Sequence, residues 1–198
     1  MAAARLSRDF CLTFRPSTPG RCLYLFTDSS ATGFAIFLGA AGRVVGAAGP
    51  AAAAAVDGVS ADLVAWGSHR QRRMTHSSFA AEAFGLLQGL RSALDDAAVA
   101  GLLFDGSVGA GLLVNAFVDS RSPYDSLTST SATGSKEVRA CIADLSDHYR
   151  LGSLASLTRL PGSLQLADGL TKPTGAGPLR VAAASGWLPL PRSACVTK

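Results

Sequence analysis

Four carboxylates carry the chemistry available to this chain. Asp28 closes the apolar, β-prone run Arg21-Cys22-Leu23-Tyr24-Leu25-Phe26-Thr27, and Asp119 closes a second apolar run, Leu112 to Val118. Runs of this kind read as strands buried on both faces, and open α/β sheets place their chemistry at the carboxyl ends of such strands. If the two strands are parallel neighbours, both acids emerge side by side at one edge of the sheet. Glu82, one of two glutamates beside Glu137, falls on the apolar side of a helical pattern formed by Phe79, Ala83, Leu86, Leu87, Leu90 and Leu94. A buried carboxylate without a partner costs on the order of several kcal/mol, so a partner is expected there. Arg72 or Arg73 at the helix start is one candidate. Asp168, in Leu166-Ala167-Asp168-Gly169-Leu170-Thr171-Lys172, taken alone is a first-turn acid favoured by a helix dipole.

Brought to one point, three or four carboxylates repel and raise one another's pKa. Hard divalent cations remove that conflict. Mg²⁺ prefers oxygen ligands and keeps several waters. Two such ions, about 3.5–4 Å apart, are the arrangement that serves in-line displacement at phosphorus.

The elements that must position these acids are legible in the hydrophobic pattern. Residues 1–20, with Pro16 and Pro19, form a lead-in segment, 21–173 one domain, and 174–198 a tail that packs on the domain or is flexible. Strands are predicted at Cys22–Thr27, Gly33–Leu38, Asp62–Trp66, Leu112–Val118 and Leu157–Leu160, the first two close enough to pair antiparallel. The Ala/Gly-rich stretch Gly39–Ser60 reads as loop or insertion, with Arg43-Val44-Val45 able to extend the hairpin. Thr75-His76-Ser77-Ser78 is a helix start, and the helix runs from Phe79 to Asp96. A short helical turn follows at Pro123–Leu127, an amphipathic helix at Lys136–Tyr149, and a helix at Ser163–Leu170 carrying Asp168. A Pro/Gly-broken tail holds Trp187. Trp66 and Trp187 read as core anchors.

With 198 residues, 48% hydrophobic and 16% charged, the composition is that of a folded chain rather than a disordered one. A net charge of +4, carried mostly by arginine because only Lys136, Lys172 and Lys198 are lysines, permits an anionic partner and leans toward phosphate. Cys11, Cys22, Cys141 and Cys195 show neither CxxC nor metal-finger spacing and read as reduced thiols of an intracellular protein, cytoplasmic or nuclear. The arginines of Met1–Arg8 resemble a transit peptide only faintly, and no apolar run is long enough for a bilayer. A small-molecule α/β enzyme is disfavoured, because no Gly-rich strand–turn–helix phosphate loop is present.

Four blocks, in order, resemble the ribonuclease H domain of copia-type retrotransposon polyproteins. They are Thr27-Asp28-Ser29-Ser30, Ser77-Ser78-Phe79-Ala80-Ala81-Glu82-Ala83, Val118-Asp119-Ser120-Arg121-Ser122, and Leu160-Pro161-Gly162 with Leu166-Ala167-Asp168-Gly169-Leu170-Thr171-Lys172-Pro173. The resemblance spans residues 22 to 173. It implies an α/β ribonuclease H-like fold, a five-stranded mixed sheet flanked by helices. It implies a metal site of Asp28, Glu82, Asp119 and Asp168 holding two Mg²⁺ ions, with Mn²⁺ able to substitute. The implied reaction is metal-dependent endonucleolytic hydrolysis of the RNA strand of an RNA–DNA hybrid, whose 2′-hydroxyl distinguishes it from DNA. A reverse transcriptase domain of the same element is the implied protein partner, and no membrane is involved.

Around the acids, Arg70, Arg72 and Arg73 stand where duplex phosphates approach a helix N-terminus. Ser29, Ser120 and Arg121 flank two of the acids, within reach of minor-groove sugars or serving as strand-end caps. Cellular members of the family place a histidine before the last carboxylate, whereas none lies between Leu151 and Asp168 here. His148, beside Asp144 and Asp147, reads as a solvated surface residue, and Asp125 and Glu137 as solvated helix charges. No polymerase motif is present. The alternative function is therefore a catalytically weak or inactive module that binds nucleic acid or docks on a reverse transcriptase.

Overall fold

The computed structural model describes residues 21–28, 33–40, 56–68, 77–105, 112–120, 125, 136–172 and 176–191. Its centre is β1 (Arg21–Asp28), flanked by β2 (Gly33–Ala40) on one side and β4 (Leu113–Val118) on the other. β1 pairs antiparallel with β2 and parallel with β4. Outward from β2 lies β3 (Val56–Ser68), antiparallel, and outward from β4 lies β5 (Leu154–Arg159), parallel. β6 (Trp187–Pro191) adds antiparallel to β3, giving the order β5-β4-β1-β2-β3-β6. The mixed sheet flanked by helices is as expected, but among the described residues it has six strands rather than five. Pro189 and Pro191 made the last strand read as broken tail, although proline is tolerated on an edge strand such as this one.

Alternation along β1 explains why it is buried on both faces. Leu23 and Leu25 face α1 (Ser78–Asp105) and α2 (Lys136–Leu151), packing with Leu86, Leu90, Val114, Ala116 and Leu145. Cys22, Tyr24 and Phe26 face the other layer, with Ala35, Phe37 and Phe117 and with Leu179 and Ala182 of α4 (Ala176–Ser185). Phe117 stacks on Phe26 with centroids 4.9 Å apart, and Phe26 meets Phe37 edge-on at 5.9 Å.

The backbone of Ala80 donates to Ser77 Oγ at 3.1 Å, so α1 starts on a serine cap, as its sequence indicates. The helix continues to Asp105 rather than stopping at Asp96, because Ala97 and Ala100 extend its buried stripe. β3 is also longer than the five residues expected. Val59, Ala61 and Leu63 are buried at every second position, an alternation masked by Gly58 and the small residues around it. Gly58 lies under the Trp187 indole, where a Cβ would overlap the ring. Trp187 is half-buried in that contact. Trp66 is no core anchor: it is 46% exposed.

The helix expected over Ser163–Leu170 is split. A 3₁₀ turn covers Gly162–Leu164, Gln165 is extended, and a single turn, α3, covers Asp168–Thr171. The cause is Gln165, which leaves the helical path to bury its amide under β1. Asp125 is helical and exposed, but the rest of Pro123–Leu127 lies outside the described residues, as do Cys11, Cys195 and Arg43-Val44-Val45. Among the described residues no helix is long and apolar enough to cross a membrane.

Candidate metal centre

Parallel pairing of β1 with β4 sets Phe26 level with Phe117, so Asp28 and Asp119, each two residues on, leave the sheet side by side. Asp168 arrives from the other side as the first residue of α3. Carboxylate oxygens of Asp28, Asp119 and Asp168 lie within 4.8 Å of one another. Glu82, one turn into α1, is not part of this triad but stands close enough for Asp119 and Asp28 to act on its charge. The structure thus gathers three of the four expected acids and puts the fourth beside them.

Their electrostatics are those of crowded anions. Burial pushes the Asp119 carboxyl above its usual range, and the charges of Asp28 and Asp168 push it further, against its own backbone amide and Lys172. Burial likewise raises Glu82, the Ser120 hydroxyl opposes this by hydrogen bonding, and Asp119 and Asp28 add to it. Lys172 Nζ sits 2.7 Å from Asp168 Oδ2, and its pKa is raised chiefly by that hydrogen bond, with the three aspartates reinforcing it.

The acids also share a pattern of anchoring. One oxygen of Asp168 is held by Lys172 while Oδ1 is buried with no hydrogen-bond partner. Glu82 receives the Ser120 hydroxyl while Oε2 is buried without a partner. Asp28 Oδ2 accepts from Thr171 Oγ1. Buried carboxylate oxygens without a hydrogen-bond partner, on residues of an anionic cluster, fit a hard divalent cation, which supplies the missing charge and accepts oxygen donors.

In the chelated protein the raised carboxyls have a consequence with a definite sign. The folded chain holds protons on Asp119 and Glu82 more tightly than the unfolded chain does. The stability this protonation gives is present at low pH and lost as pH rises from the ordinary carboxylate range through the raised values. Thermal melts across that window should therefore show a falling melting temperature in chelator and a flatter profile in saturating Mg²⁺. A slope that Mg²⁺ leaves unchanged would contradict the reading.

Of the other expected contacts, Ser120 turns its hydroxyl to Glu82. Ser29, Arg70, Arg72, Arg73 and Arg121 lie outside the described residues. His148 is far from the acids, at the amino ends of the parallel strands, where its Nδ1 pairs with Ser153 Oγ at 3.0 Å and its Nε2 lies 3.6 Å from Asp144. Cys22 and Cys141 are free and buried. The Cys141 thiol donates to the Ala83 carbonyl, and burial pushes its pKa up to about 11.

Three residues of the site were not assigned from sequence. Gln165, 2% exposed, donates from Nε2 to the Thr27 carbonyl at 3.0 Å and accepts from the Ala167 amide at 3.3 Å. Thr171 binds Asp28. Lys172, present with Thr171 in the last of the resembling blocks but given no role there, stands at the i,i+4 spacing from Asp168 that suits an ion pair.

No family model matches the chain, and no curated protein matches it in sequence. Among solved structures, it is similar to the ribonuclease H1 of the halophilic archaeon Halobacterium salinarum, at 16% identity and a TM-score of 0.37, over 74% of this chain and 89% of that one.

Proposed function

We propose that the chain is a metal-dependent endonuclease that hydrolyses the RNA strand of RNA–DNA hybrids. The observation that carries this is the convergence of Asp28, Asp119 and Asp168 within 4.8 Å at the carboxyl edge of parallel strands. Glu82 stands alongside with a buried, unpartnered oxygen. Asp28, Asp119, Asp168 and Glu82 would hold the ions, Mg²⁺ or Mn²⁺. Divalent ions bound there supply water activation and charge neutralisation at the scissile phosphate. The protein orients the carboxylates through Thr171, Lys172 and Ser120, and keeps Asp28 largely out of water at the end of its strand. The ordered sequence blocks favour descent from a copia-type element, with a reverse transcriptase domain as natural partner. The test is incubation of the purified chain with a hybrid labelled on both strands, in Mg²⁺, in Mn²⁺ and in chelator, beside a DNA duplex. The expected result is cutting of the RNA strand alone, only with metal. Failure to cut by a folded, hybrid-binding chain would favour the binding-module reading.

Trp66 adds a substrate contact. Pairing aligns Phe26 with Ala35 and Ala35 with Trp66, so the indole lies on the same sheet face as Asp28, two strands away. An exposed indole there offers a stacking surface for a base or sugar, and stacking of this kind is worth about 1–3 kcal/mol per base. Trp66→Ala should weaken hybrid binding on the order of 5- to 150-fold without lowering the melting temperature, measured by anisotropy of a labelled hybrid. Unchanged affinity would remove Trp66 from the interface.

A further inference from the structure

Asp168 is delivered to the site by a single helical turn, and one turn is a weak positioner on its own. α3 has only four residues, and its cap, Ala167, makes no side-chain cap bond. Its seating on the sheet comes from elsewhere. Gln165 ties the approach to α3 onto the Thr27 carbonyl, at 3.0 Å. At the far end, Thr171 Oγ1 donates to Asp28 Oδ2. The Thr171 methyl rests on Gly33, the residue paired with Asp28 across the β1–β2 ladder. A Cβ at Gly33 would stand 2.5 Å from Thr171 Cγ2 and 3.3 Å from the Ala167 carbonyl oxygen, so the turn can lie this close only over a glycine. The turn that carries one acid is therefore bonded to a second acid and seated on that acid's partner.

We propose that Thr171 is a positioning residue of the metal centre. Its hydroxyl fixes the Asp28 carboxylate by occupying Oδ2, and the bare backbone of Gly33 lets the turn, and with it Asp168, come this close to Asp28. The inference rests on the metal-centre reading above. A hydroxyl suits this role because it orients a carboxylate without adding positive charge that would oppose a cation. Lys172, which holds Asp168, does carry such a charge. Hydrogen bonds from the layer behind metal ligands typically govern 10- to 100-fold in metal affinity.

The experiment is calorimetric titration of Mn²⁺ into the full chain at neutral pH, for wild type, Thr171→Val, Thr171→Ser, Gly33→Ala and Asp28→Asn, with melts in chelator. Thr171→Val keeps the shape and removes the donor, and is expected to weaken Mn²⁺ about 10- to 100-fold in a chain that still melts cooperatively in chelator, at a somewhat lower temperature. Thr171→Ser restores the donor and is expected to bind within a few-fold of wild type. Gly33→Ala leaves the hydroxyl in place but lifts the turn, and is expected to weaken Mn²⁺ as well, which keeps the proposal testable should the valine variant fail to fold. Wild-type affinity in both Thr171→Val and Gly33→Ala, or equal losses in the serine and valine variants, would overturn the positioning role alone. A wild type that binds no Mn²⁺, or binds it equally after Asp28→Asn, would overturn the metal centre and the positioning role with it.

Discussion

Replacing Asp119 by Asn is expected to reduce hydrolysis of the hybrid by more than about 100-fold, beyond what loss of a group behind the ligands inflicts. Hybrid binding should stay within a few-fold of wild type. The asparagine keeps the shape of the side chain and an acceptor oxygen for the backbone amide that bonds it, so nothing in the packing is disturbed. What it removes is the charge, and with it the repulsion exchanged with Asp28 and Asp168. The variant should therefore melt at the same or a higher temperature than wild type in chelator, and gain less from added Mg²⁺. Loss of cutting combined with undiminished chelated stability separates a missing ligand from a damaged fold. Single-turnover cleavage, hybrid anisotropy and melts with and without Mg²⁺ together read all three quantities. Undiminished cleavage would show that the cluster is not the site of reaction.

The second large effect lies directly beneath the acids. Phe117 is fully buried, stacks on Phe26 at 4.9 Å and lies 6.2 Å from Tyr24 in near-parallel orientation. Phe117→Ala should cost about 3–5 kcal/mol, the usual range for emptying an aromatic site in a core. For a chain of this size that is a fall in melting temperature on the order of 6–20 °C. Asp28 follows Phe26 by two residues and Asp119 follows Phe117 by two, so the ring pair fixes the level at which both carboxylates leave the sheet. Cleavage should fall even where the variant is fully folded, while Phe37→Leu, farther from the acids on β2, should lose stability with less effect on cleavage. Urea titration and single-turnover rates compare the two. Equal losses of rate in both variants would remove the ring pair from site geometry.

The parts of this architecture written in local pattern could be read from the chain. Asp28 and Asp119 stood out because each ends a run of apolar residues, whereas the parallel pairing of β1 with β4, which sets the two acids side by side, was only a condition in the sequence and is seen in the register. Glu82 stood out because a carboxylate on an apolar helix face needs a reason. Missed features depend on contacts between distant residues. Thr171 and Asp28 are 143 positions apart, and Gln165 and Thr27 138, so no window of sequence contains both partners. The sixth strand was hidden by its prolines, and the length of β3 by glycine and alanine, whose small side chains give little hydrophobic signal. Trp66 was placed inside on residue type, yet its register opposite Ala35, near the end of the sheet, leaves it in water. The arginines expected at the nucleic-acid rim lie outside the described residues.

The most direct measurement is anomalous diffraction from crystals of the wild-type chain grown or soaked with Mn²⁺ and hybrid. The expected result is a Mn²⁺ peak about 2.0–2.2 Å from carboxylate oxygens of Asp28, Asp119 and Asp168. A second peak is expected about 3.5–4 Å from the first. Glu82 should turn its buried, unpartnered oxygen to one of them. Anomalous density absent from this cluster at saturating Mn²⁺, with Lys172 still paired to Asp168 and the hybrid bound elsewhere, would contradict the metal centre and the nuclease built on it.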